Sequence, residues 1–148
     1  MSITSSDASA EFLLDIVGTQ TMGNETTSVE THCPCTLSRR NHKIYIQYIE
    51  EDVSRLVTID GTHVQLRALG DLASRLEFDC SAATSGEYHT PYGTISMQVI
   101  THTLTVSDEP ESSGTLRLYM EYDLEMNGEP VSQNKLELVV NQRSLHTK

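Results

Sequence analysis

Between Leu116 and Met126 the chain alternates without a break. Leu116, Leu118, Met120, Tyr122, Leu124 and Met126 fall on one side, and Arg117, Tyr119, Glu121, Asp123 and Glu125 on the other. Strand side chains change face with period two, whereas a helix would scatter these apolar positions around its circumference. The run therefore predicts a half-buried strand. Ile44, Ile46 and Tyr48 repeat the pattern, as do Ile95, Met97 and Val99. From Phe12 onward, short β-branched, aromatic and aliphatic runs broken by turn residues predict strands near 12–22, 27–37, 43–50, 54–59, 63–69, 73–79, 84–89, 94–106, 115–126 and 131–140. No stretch carries a convincing helical period.

Asp60-Gly61 and Asn127-Gly128 lie between alternating runs and supply the positive φ that tight hairpins need. Short connections between successive strands make a meander, and a meander this long must hide its edges from other molecules. Closure does so, and Greek-key crossovers would need longer connections. The predicted class is all-β: a closed antiparallel up-and-down β-barrel of about 8–10 strands.

Two breaks of phase refine this picture. After Pro91 the apolar positions run 95, 97, 99 and then 100, 104, 106, so a bulge is expected at Val99–Ile100, turning His102 inward. At the Asn127-Gly128 hairpin, a strict two-residue loop would pair Leu136 with outward Tyr119. One extra residue in the loop pairs Leu136 with Met120, Leu138 with Leu118 and Val140 with Leu116, and sets Asn134 opposite Tyr122, both inward.

The composition fits a half-solvated sheet. The chain has 148 residues, of which 37% are hydrophobic, and it carries 10 Lys and Arg against 21 Asp and Glu, a net charge of −11. That balance lacks the basic footprint of a nucleic-acid binder and would repel anionic lipid. No apolar window approaches a membrane span, and the start Met1-Ser2-Ile3-Thr4 has neither the basic nor the apolar part of a signal peptide. Three cysteines do not make an extracellular disulfide framework, so the expected location is cytoplasmic. The expected organisation is a disordered N-terminal tail over 1–10, one barrel domain over 11–141, and a C-terminal tail over 142–148.

Several segments together resemble a known family: Gly18-Thr19-Gln20, then Tyr88-His89-Thr90-Pro91-Tyr92-Gly93 ahead of an alternating strand. Leu116 to Leu124, Asn127-Gly128, and Asn134 ahead of Leu136 and Leu138 complete the set. In order and spacing the chain is similar to the YwiB-like family of bacterial proteins over roughly residues 12 to 140. The resemblance implies a lipocalin-like (calycin-type) barrel and carries no activity and no catalytic residues. The chain departs from that pattern at Ala68, two residues before Gly70, where the family tends to place Arg; Arg67 stands one position earlier, on the opposite strand face. It has no Trp, which secreted lipocalins carry near the start of the barrel.

Catalytic signatures are absent: no Walker A loop, GxGxxG, HExxH, GxSxG or CxxC occurs. His32-Cys33-Pro34-Cys35 has donors that suit zinc, but the spacing is wrong for a knuckle, and ordinary thiols are the better reading. Neither a cofactor nor a metal site is expected. Thr90-Pro91-Tyr92-Gly93 reads as a β-turn that would carry Tyr88 and Tyr92 at a rim. Arg39-Arg40-Asn41 reads as a solvated turn. The inward set of Tyr48, His102, Tyr122 and Asn134 marks a barrel interior that either satisfies its own polar groups or holds one small ligand. The candidate ligand-binding residues are therefore Tyr48, Tyr88, Tyr92, His102, Tyr122 and Asn134. Three functions remain in rank order: a non-enzymatic module for a small, largely apolar ligand; an interaction or assembly module, such as a homodimer, using the exterior or rim; and an enzyme at the barrel mouth.

Overall fold

Alternation of apolar and polar residues on this scale drives each segment to bury one face, and ten strands result in the computed structural model, which describes residues 12–70, 73–109 and 114–142. They are β1 (Phe12–Met22), β2 (Glu25–Arg40), β3 (Lys43–Glu50), β4 (Val53–Asp60), β5 (His63–Ala68), β6 (Ser74–Asp79), β7 (Thr84–Thr90), β8 (Gly93–Glu109), β9 (Thr115–Met126) and β10 (Glu129–Gln142). Each strand pairs antiparallel with the next, and β1 pairs with β10, so the meander closes into a barrel. The tail expected over 1–10 lies outside the described residues. So does the C-terminal tail beyond Gln142, which itself ends β10.

Hairpin chemistry fixes the connections. Asn41, His42, Glu51, Asp52, Asn127 and Gly128 all have positive φ, as the mirror-image turns that match strand twist require. The β9–β10 register is the expected one, with Leu136 opposite Met120 and Asn134 opposite Tyr122. The extra residue, however, is not in the loop. Glu129 pairs directly with Met126, and the register shifts between Pro130 and Ser132, leaving Val131 as a bulge. Pro130 has no N–H to offer the ladder, which makes this a cheap place to interrupt it.

A second correction concerns β8. The slip falls between Thr101 and Thr103, not at Val99–Ile100. Thr101 rather than Ile100 continues the inward row after Val99, and His102 is the bulged residue, exposed outside. The expectation weighted the methyls of Ile100 above the hydroxyl of Thr101, and the sheet did the reverse.

The lumen is not uniform along its axis. Toward the end bearing Phe12 and Gln142 it is filled: Leu14, Ile46, Phe78, Leu118, Met120 and Leu138 are within 1% of complete burial. That end is bridged by Arg39, in the last residues of β2, which donates through Nε and Nη2 to Asp108 of β8, at 3.1 and 2.7 Å. Arg39 is thus exposed as expected, but it lies in β2 and not in the turn, with its guanidinium forked onto a carboxylate. At the opposite end the inward positions turn polar.

Candidate functional site

The polar end is set by Pro34. The β2–β3 ladder runs from Arg40↔Lys43 to Thr36↔Gln47 and stops. Continuing it would ask Pro34 for an N–H it does not have. Beyond that point β2 pairs only with β1, and β3 only with β4, so the barrel wall parts. The parting is a slot of about 420 Å3, lined by Cys33, Pro34, Cys35, Gln47, Tyr48 and Ile49 among others. Its walls are predominantly apolar, and its volume is in the ordinary range for small-molecule sites.

Tyr48 is shared with a second recess of about 130 Å3, which also holds Arg55, Ser74, Leu76 and Tyr88. Strand parity explains the company: Tyr48 and Arg55 are opposite one another on β3 and β4, and Ser74 and Tyr88 are opposite on β6 and β7. Arg55 shares the inward face of β4 with Val57 and Ile59, both 2% exposed. Its Nε lies 3.3 Å from Oε1 of Glu50, yet that enclosed N–H has no hydrogen-bond partner among the described residues. The other carboxylate oxygen of Glu50 accepts from the Thr31 hydroxyl across the slot.

Burial dominates the protonation of this end. It pushes the Tyr48 phenol up to about 12, against the lowering effect of Arg55. It raises Tyr88, again opposed by Arg55, and takes Tyr122 to about 12 with a smaller push from Tyr88. Cys35 is held at about 12 by burial and then by Cys33, while Cys33 is raised by burial and by the charges of Glu50 and Asp15. These phenols are hydrogen-bond donors throughout the neutral range, and the thiols are blunted as nucleophiles because the thiolate is the reactive form. The arrangement offers recognition chemistry: one guanidinium and several hydroxyls at the end of an apolar slot.

The sequence-derived residues divide accordingly. Tyr48 and Tyr88 share the recess. Tyr122 is buried nearby with its ring edge-on to Phe78, centroids 4.7 Å apart. Asn134 is buried as expected, but its amide donates to Ser132 Oγ at 3.0 Å and to the Tyr122 carbonyl at 3.4 Å. That is internal satisfaction. Tyr92 stands 99% exposed at the tip of the β7–β8 hairpin, away from the rim interior. His102, expected inside, faces solvent with Nε2 2.9 Å from Asp123 Oδ2. Arg55, Glu50 and the slot at Pro34 were missed. The signal was present in Val53-Ser54-Arg55-Leu56-Val57, where a charged residue occupies the apolar phase of its own strand. Among the described residues no three His, Cys, Asp or Glu side chains are grouped to hold a metal.

Comparison with known proteins agrees with this geometry at the level of fold. The family model described as a domain of unknown function, DUF1934, matches residues 14–138. Among solved structures the chain is similar to the crystal structure of the ywiB protein from Bacillus subtilis, with a TM-score of 0.78 and 16% sequence identity over 94% of this chain and 98% of that one. No curated protein matches it.

Proposed function

Because the chain belongs to the DUF1934 family, realised here as a closed ten-stranded barrel, we propose that the barrel is a binding module for a small, largely apolar molecule held in the slot between β2 and β3. The observation that carries this reading is the break in the wall at Pro34. A barrel needs only side chains to fill its lumen. Here the packed half is already filled, and the ladder is interrupted where an apolar space of about 420 Å3 opens. Titration with the neutral fluorophore N-phenyl-1-naphthylamine tests it. A single saturable site is expected, lost in Cys33→Trp, which fills the slot, and weakened in Ile49→Glu. Absence of saturable binding, or binding indifferent to both substitutions, removes the proposal.

A second reading rests on the outer edge of β2. Glu25 to Pro34 pair with β1 alone, and Val29 is 65% exposed on that edge. An unpaired strand edge is a template for another strand, so an assembly role through β2 predicts a dimer in light scattering that Val29→Lys dissolves.

A further inference from the structure

At Tyr48 the slot adjoins a recess whose lining charge is opposite to that of the molecule. Across a chain of 21 acidic and 10 basic residues, the lining of this recess carries Arg55 and Arg67 and no Asp or Glu. Arg55 is the inward one; Arg67 is exposed on the other face of β5. The enclosed Nε–H of Arg55, although 3.3 Å from Glu50 Oε1, makes no hydrogen bond among the described residues. Around it Tyr48 and Tyr88 are half-buried and Tyr122 is buried, and none of their hydroxyls is sealed away from the recess. An enclosed guanidinium N–H without an acceptor is a costly arrangement unless one visits it.

Resting on the slot as a binding site, we propose that its ligand is an amphiphilic monocarboxylate, its apolar body along Pro34 and Ile49 and its carboxylate against Arg55, Tyr48 and Tyr88. A guanidinium presents paired N–H groups that match a carboxylate, and charge-assisted bonds in a shielded recess are stronger than neutral ones. Glu50 sets the charge it accepts. Its carboxylate beside Nε already offsets part of the Arg55 charge, so little attraction is left to offset the desolvation of a phosphate dianion, which rises with the square of its charge, while a monoanion is tolerated. The recess, at about 130 Å3, suits a head group and not a whole ligand.

The test is displacement of N-phenyl-1-naphthylamine by decanoate, decanol and decyl phosphate below their micellar concentrations. Decanoate is expected to displace the probe at a concentration about tenfold lower than decanol, the difference a charge-assisted bond supplies. In Arg55→Met that ratio collapses toward one. In Glu50→Gln, where a like charge is gone and the guanidinium is kept, decanoate binds about threefold tighter; this arm stands even if Arg55→Met does not fold. Equal displacement by decanoate and decanol, or no change in Glu50→Gln, overturns the carboxylate inference and leaves the slot reading standing. Tighter binding of decyl phosphate also overturns it. Failure of the probe to bind at all removes both.

Discussion

Three thiols of one chain sit in three different environments: Cys80 is exposed, Cys33 half-buried and Cys35 buried with its thiol held at about 12. Alkylation follows thiolate fraction and access. Iodoacetamide at pH 8, read by mass spectrometry, is therefore expected to modify Cys80 first and Cys33 slowly, with Cys35 modified only on unfolding. Occupation of the slot should protect Cys33. Thr101 makes a second residue-scale case. Its hydroxyl is enclosed without a partner among the described residues. The near-isosteric Thr101→Val removes that unmet donor and should raise stability by about 1 kcal/mol in urea denaturation; a loss of that size would mean the hydroxyl is satisfied. Thr101 is also where the sequence was hardest to read. Hydropathy ranks Ile100 above it, yet ladder register decides which residue turns inward, and one bulged residue, His102, reverses every later position. Asn134 was legible because its partner register with Tyr122 followed from three apolar pairs at once.

At the scale of elements, alternation revealed all ten strands and the meander, since each strand has one wet face and each joint is short. What it did not reveal was where ladders stop. The β6–β7 ladder spans only Ser74↔Tyr88, Arg75↔Glu87 and Leu76↔Gly86. Gly86 permits even this: a Cβ there would stand 2.4 Å from Leu76 Cδ2 and 3.1 Å from the Arg75 carbonyl oxygen. Gly86→Ala is therefore expected to cost about 1–3 kcal/mol, as overpacking does, and to loosen the neighbouring recess; unchanged stability would show that Leu76 simply rotates away. The β3–β4 turn points the other way. Glu51 and Asp52 adopt φ of 53° and 66°, a conformation that suits Asn and Gly far better. Replacing the pair by Asn-Gly should add about 1 kcal/mol, seen as a higher midpoint in thermal melts. Because Glu50 and Val53 flank that turn and Arg55 follows on β4, the change also reports whether the recess depends on a strained corner.

For the whole molecule, closure divides the barrel into a filled half held by Arg39–Asp108 and a parted half where Tyr48, Arg55 and Tyr88 meet. The pH response should report both halves together. Tyr48, Tyr122 and Cys35 are raised to about 12 from ordinary values of 10, 10 and 9. Each retains its proton longer in the fold than in the unfolded chain, so the stability this supplies is complete below pH 9 and is lost as pH rises toward 12. Unfolding midpoints in urea are expected to stay level from pH 7 to 9 and then fall. In Tyr122→Phe the alkaline fall should be shallower, since one buried proton no longer has to be surrendered. A protein whose lumen were open to water at these three positions would show no such difference between wild type and variant. A steep alkaline loss carried by Tyr122 thus distinguishes a rolled sheet that buries this phenol from a splayed one.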